Sequence, residues 1–404
     1  MSSFPFRQQP LKGLYIVYQL VSTLFIRLPF WIITSLPSST RARPTWTLKR
    51  ALLLKFVRHF TNLTFETGVA PVANYLAIKS GKGVNGVWID PATELITGDL
   101  EKWAEIAKVK PTRLPGYWFH QKGSNITVGS SPQPGEKVVL NLHGGAYVRM
   151  SAHPSDPTAN IVRGILKHTP SIRRVFSVEY RLSSGKPFTV AHPFPTSLID
   201  VLAGYNYLVN VVGYSPSDII ICGDSAGGNL AHALTRYLVE NQHSTSPKLP
   251  APPGALILLS PWSDLSKSHD GIGSAISCVK SDYLSADHRV EYAKDAFTGP
   301  HGRVIADSNP YISPACILPG FEISFKGFPR TFINSGGGEV LIDQIRLLRD
   351  RMVADLGEGD GVKPGEGKVR YYEAADACHD YLVLSPHEPE RTETLKVIAQ
   401  WVQA

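Results

Sequence analysis

The sequence predicts an α/β fold, a mostly parallel central sheet covered by helices on both faces. Two observations carry that prediction. From residue 137 onward, short apolar runs of strand length alternate with stretches of helical period. Such alternation builds parallel sheets, because a crossover helix carries the chain back to start the next strand at the same end. The composition agrees: hydrophobic residues make up 43% of the 404, enough for a sizeable core, and charged residues only 19%. A charge content below the usual quarter suits extensive buried or lipid-facing surface. A helical cap and an N-terminal membrane-associated segment complete the expected architecture.

Residues 1–60 read as a basic membrane-anchor segment. They hold nine Lys or Arg and no acid, whereas the remainder has 32 basic against 34 acidic residues. The net charge of +7 is therefore local. A neutral body excludes a nucleic-acid binder, whose basic stripe lies on the folded domain. The basic start suits anionic headgroups instead.

Residues 14–36 form an apolar run of 23, interrupted by Gln19, Arg27 and Pro29. The length matches the roughly 17–25 residues that span a bilayer. A tilted anchor is the first expectation. The second is a helix pair lying in the interface, its other member at 48–60, where Leu52, Leu53, Phe56 and Phe60 recur at helical spacing. The third is an ordinary core helix. The expected location is a membrane, with the endoplasmic reticulum the leading candidate. Basic residues after the run place the catalytic side in the cytosol. Sequons at Asn62 and Asn125 have a use only in the lumen, so the side stays open.

Residues 61–136 read as a helical and irregular cap and linker region containing Trp88, Trp103, Tyr117 and Trp118. Residues 137–404 form the expected catalytic domain. Buried strands are expected at 138–142, 175–178, 219–222, 255–259, 331–334 and 369–372, and helices near 157–167, 196–211, 226–240, 340–355 and 389–403. The Ser-, Asp- and Gly-rich stretch 264–327 breaks the alternation and reads as a cap insertion. Four cysteines without a Cys-x-x-Cys pair exclude a disulfide scaffold and argue against structural zinc. No cofactor or metal is expected, and the oligomeric state is not legible.

The strongest chemical signal is Gly223-Asp224-Ser225-Ala226-Gly227, directly after one expected strand and before a helix. Glycines two positions either side of Ser225 permit a tight strained turn that lifts a nucleophilic hydroxyl to the sheet edge. A second signal, His143-Gly144-Gly145-Ala146, follows the 138–142 strand. Acyl transfer generates an oxyanion, and N–H groups must meet it. Gly144, Gly145 and Ala226 are the expected donors, with His143 holding the loop. The base expected last in the chain is His379, in a loop after the final strand. Between nucleophile and base lies Gly336-Gly337-Gly338-Glu339-Val340-Leu341-Ile342-Asp343. Glu339, at the strand–loop junction, is the preferred acid, and Asp343 is the alternative. An acyl-enzyme on Ser225 follows from that arrangement.

Together these residues resemble the hormone-sensitive-lipase-like branch of the α/β-hydrolase superfamily over roughly 137–403. Residues 179–182 (EYRL), 192–195 (HPFP), 260–264 (SPWSD) and 309–314 (NPYISP) appear in that family's order. The family most often has Asp where this chain has Glu339, and Ser183-Ser184-Gly185-Lys186 departs from its usual Ala-Pro-Glu. The N-terminal third resembles fungal members with a membrane-anchored start, similar to steryl acetyl hydrolases. The resemblance implies hydrolysis of a hydrophobic ester, of short acyl chain, on a sterol-like or secondary-metabolite alcohol. Two competing functions use the same fold: an acyltransferase with the same triad, and a non-catalytic small-molecule receptor.

Overall fold

The computed structural model describes residues 4–69, 73–284 and 288–404. Its centre is one eight-stranded sheet: β1 (Asn85–Ile89), β2 (Leu114–His120), β3 (Val138–Leu142), β4 (Arg174–Val178), β5 (Ile219–Asp224), β6 (Ala255–Leu259), β7 (Arg330–Gly336) and β8 (Val369–Ala374). The spatial order is β1-β2-β4-β3-β5-β6-β7-β8. The six strands from β3 onward run parallel, and β2 is antiparallel to both of its neighbours.

Successive side chains on a strand face opposite ways, so two cores form. Leu140, Leu142, Ile221, Leu256, Leu258 and Ile333 enter one. Val139, Ile220, Cys222, Ile257, Leu259 and Phe332 enter the other. With both faces buried, the strands read as unbroken apolar runs rather than alternating ones.

In chain order the helices are α1 (Leu11–Ser22), α2 (Leu28–Ser35), α3 (Leu48–Thr67), α4 (Asp99–Ala107), α5 (Ala159–His168), α6 (Thr196–Asn206), α7 (Ala226–Glu240), α8 (Ser274–Ser277), α9 (His288–Thr298), α10 (Val304–Ser308), α11 (Ile342–Leu356) and α12 (Glu390–Gln403). Residues of α6, α7 and α11 fill the first core, and those of α5 and α12 the second.

One expectation is corrected. Residues 61–136 are not merely helical and irregular, because β1 and β2 lie there and extend the sheet. Pro115 and Gly116 disguised β2. Gly116 is there for close packing: a Cβ would come 2.3 Å from the Phe176 ring.

The N-terminal segment is a helical hairpin. A wide π turn at Thr23–Arg27 joins α1 to α2, giving a continuous helix, Leu11–Ser35, long and apolar enough to cross a membrane. Only 11% of its apolar window is buried, which overturns the core-helix reading. Leu14, Leu20, Phe25, Ile26, Phe30 and Ile33 stand exposed. The return helix α3 is tied to it through Thr23 Oγ1 with His59 Nε2 at 2.8 Å and Lys55 Nζ to Ser35 Oγ at 2.7 Å. Arg27 folds back onto Ser22 and Thr23, which satisfies part of its hydrogen-bonding capacity within the helix. Asn62 and Asn125 are both exposed.

The N-terminal segment is also fastened to the loops that follow β7 and β8. Trp46 Nε1 donates to the Asp376 carbonyl at 2.8 Å, and Arg43 to the Gly337 carbonyl at 2.9 Å. Arg58 donates to the carbonyls of Val279 and Asp282.

Candidate active site

The elbow after β5 is strained as its glycines require. Ser225 sits at φ 51° and ψ −118°, a conformation that non-glycine residues rarely hold. A Cβ on Gly223 would lie 2.1 Å from the Gly227 carbonyl oxygen, and one on Gly227 2.0 Å from that of Leu142. Only bare backbone fits so close. The result holds Ser225 where strand gives way to α7.

His379 and Glu339 reach the same point from two later loops. His379 Nε2 lies 2.9 Å from Ser225 Oγ, and its Nδ1 lies 2.7 Å from Glu339 Oε2. The other oxygen of Glu339 accepts from the Gly336 N–H at 2.7 Å and the Ser260 hydroxyl at 3.1 Å. Burial pushes the Glu339 carboxyl up to about 7, against the pull of His379. Burial disfavours a charged His379, yet the adjacent Asp380 and Glu339 carboxylates outweigh it and hold the imidazole well above its ordinary value.

That direction sets a pH expectation. The base must be neutral to take a proton from Ser225. Activity is therefore lost as pH falls through the raised value, and the acid limb of kcat/KM is expected to have its midpoint above 6.5. A pH–rate profile on a neutral ester checks this, and a midpoint near 5 would contradict it.

Asp343 does not join the group. It is the second residue of α11, its side chain is 43% exposed, and its carboxylate accepts the Ser274 N–H at 2.7 Å. It caps α8 and makes no contact with His379 among the described residues.

The oxyanion donors need one correction. The Gly144 N–H is already engaged, donating to Asp224 Oδ2 at 3.0 Å. It is therefore held away from any substrate. The N–H groups of Gly145, Ala146 and Ala226 carry no hydrogen bond among the described residues. Gly145 (φ 109°) and Ala146 (φ 54°) both have left-handed backbone, which turns the loop here. His143 stacks on Tyr180 with ring centroids 4.3 Å apart and reaches the Gly144 carbonyl through Nδ1, a loop-holding position.

Three carboxylates were missed by sequence reasoning. Asp224 is the clamp on Gly144. Asp282, fully buried, accepts the N–H groups of Val340 at 2.8 Å and His379 at 3.2 Å, so it joins the acid loop to the base loop. Asp380 lies 3.1 Å from His379 Nε2. No local pattern marks Asp282, which lies in the 264–327 stretch. Asp224 and Asp380 stood inside motifs whose neighbours drew the attention.

A pocket opens over Ser225. Apolar Met150, Trp262, Tyr283, Leu284, Val290 and Leu341 line it, together with Asp264, His269, Lys294 and Asp380. Much of that wall comes from 264–327, and Thr61 of α3 contributes as well. Among the described residues no group of His, Cys, Asp and Glu has the arrangement of a metal site.

A sequence model of the alpha/beta hydrolase fold family matches residues 139–381. Esterase LipU of Mycobacterium tuberculosis is 29% identical over 66% of this chain and 77% of its own length. Steryl acetyl hydrolase 1 of Saccharomyces cerevisiae is 23% identical over 55% of this chain and 50% of its own. The fold is shared with an esterase from the bacterial hormone-sensitive lipase family, at a TM-score of 0.58 and 21% identity, over 89% of this chain and 98% of that one. The chain belongs to the alpha/beta hydrolase fold family and is a carboxylic ester hydrolase.

Proposed function

We propose that this esterase works through an acyl-enzyme on Ser225. It is held at a membrane by its N-terminal hairpin and removes a short acyl group such as acetyl from a hydrophobic, sterol-like or secondary-metabolite alcohol. The observation that carries the mechanism is the unbroken relay Ser225–His379–Glu339, at 2.9 and 2.7 Å. His379 Nε2 takes the Ser225 proton as Oγ attacks the ester carbonyl. The oxyanion accepts from the N–H groups of Gly145, Ala146 and Ala226, which are already oriented and free. His379 returns the proton to the leaving alkoxide. Water, deprotonated by the same nitrogen, then releases the acid. Glu339 stays ionised beside the imidazolium and stabilises it.

The membrane reading rests on the exposed apolar face of Leu11–Ser35 and the basic residues flanking it. The endoplasmic reticulum is the membrane we favour. The acetyl and sterol reading is supported by the name of the yeast relative and by the mainly apolar wall of the pocket.

The test is a series of p-nitrophenyl esters, acetate to palmitate, on the full chain in mild detergent. Acetate and butyrate are expected to turn over fastest, with rates collapsing beyond about eight carbons as the acyl chain outgrows the site. A preference for palmitate would replace the short-acyl reading with hydrolysis of long-chain lipid esters.

A further inference from the structure

We propose that Leu11–Ser35 does not cross the bilayer but lies in one leaflet, parallel to its surface, with both of its ends and the catalytic domain on the same side. The proposal rests on the membrane reading above and specifies its surface and partner: the exposed apolar side of the hairpin, set into the headgroup and upper acyl layer of a single leaflet.

The first support is that both ends of the helix are fastened to one folded body. Before it, Phe4 is 7% exposed and packs its ring against Phe65, Phe188 and Tyr292. Phe188 lies between β4 and α6, and Tyr292 in α9. Arg7 donates to the Phe65 carbonyl at 2.7 Å and lies over the Phe188 ring. After the helix, Arg41 donates to the Ser35 carbonyl at 2.9 Å, and Trp46 is 1% exposed with its Nε1 bonded to Asp376, beyond β8. The 25 residues between these anchors make a helix about 37 Å long. Crossing a hydrocarbon core of roughly 30 Å would put its ends in opposite aqueous phases. One anchor would then break, or the domain would be drawn into lipid. The return helix α3 runs beside it and carries Lys49, Arg50, Lys55 and Arg58, all of which are costly at bilayer depth.

The second support is that the helix is inside out. It buries Gln19, Ser22 and Ser35, and leaves Leu14, Phe25, Ile26, Phe30 and Ile33 more than half exposed. Phe56 and Phe60 of α3 are exposed as well. A helix facing water does the reverse, whereas one lying in the interface turns an apolar side outward. Arg27, near mid-helix, bends back onto Ser22 and Thr23, so its charge is kept off the outward side. The surrounding charge favours lipid over a second copy of the chain. Residues 1–60 hold nine Lys or Arg and no acid, which suits anionic headgroups. Two copies joined by this face would bring like charges together. α3 also contributes Thr61 to the pocket over Ser225, so the membrane-bound hairpin and the active site share a helix.

The test places single cysteines at three exposed positions: Gln8→Cys before the helix, Ser39→Cys after it and Lys326→Cys on the catalytic domain. The four native cysteines are buried, so the unsubstituted chain gives the background. Each full-length variant is treated with a membrane-impermeant maleimide in sealed microsomes of the expressing cells, before and after detergent. Turnover of p-nitrophenyl butyrate reports that each is folded. The three positions are expected to label equally before detergent and to gain equally when it is added, whichever side the domain occupies. If Gln8→Cys and Ser39→Cys divide, one labelled at once and the other only after detergent, the helix spans and the proposal is overturned while the membrane reading stands. Failure of the membrane reading looks different and overturns both: the chain would be recovered in the soluble fraction, and a dimer there by light scattering would identify a second copy as the cover of the apolar face.

Discussion

Ser225→Ala is expected to lower kcat by about four to six orders of magnitude on any ester the wild type cleaves. The expectation is large because the variant removes a covalent step, and binding alone does not replace it. Residual turnover would reflect the free N–H groups of Gly145, Ala146 and Ala226 acting on a water-attacked ester. Fluorophosphonate labelling should disappear in parallel. Stability should move the other way for one replacement. At φ 51° a side chain is strained, so Ser225→Gly relieves on the order of 1 kcal/mol while abolishing activity equally. Chemical denaturation of the wild type and both variants checks the second point. Kinetics checks the first, and turnover within tenfold of wild type in Ser225→Ala would sink the acyl-enzyme mechanism.

Much of this site was legible because its chemistry is encoded locally. Gly223 and Gly227 bracket Ser225 in sequence, and the backbone contacts that demand glycine also lie within or beside the elbow. The parallel strands were legible for a similar reason: burial on both faces leaves unbroken apolar runs such as VVLNL and ALILL. What escaped was set by contacts between distant segments. The part of β2 at Pro115 and Gly116 is shaped to accept Phe176 from another strand, so it carries breakers where a strand signal was sought. The oxyanion loop slipped by one residue for the same reason. Gly144 and Gly145 look alike in sequence, and only the carboxylate of Asp224, 80 positions later, engages the first of them. Asp282 has no motif at all, because its work is to bind the N–H groups of two loops that converge only in the fold.

Glu339→Gln is expected to lower kcat by about four orders of magnitude, with KM little changed. The argument turns on hydrogen-bond polarity. One carboxylate oxygen accepts from His379 Nδ1, and the other accepts from the Gly336 N–H and the Ser260 hydroxyl. All three partners donate to Glu339, and glutamine offers only one acceptor atom. If its NH2 faces His379, Nδ1 must give up its proton and the hydrogen moves to Nε2. That nitrogen then cannot accept from Ser225. The carboxylate of Asp380 beside Nε2 favours the same wrong tautomer. If its NH2 faces Gly336 instead, two buried donors meet head on, and the loop carrying the acid is displaced. Either outcome disarms the base. Asp343→Asn provides the contrast, since Asp343 caps α8 and is expected to keep kcat within about threefold. Measuring both variants beside the wild type decides between the two acids. A loss in Asp343→Asn that matches the Glu339→Gln loss would reassign the role, and a small loss in Glu339→Gln would mean that His379 keeps its working tautomer without a carboxylate on Nδ1.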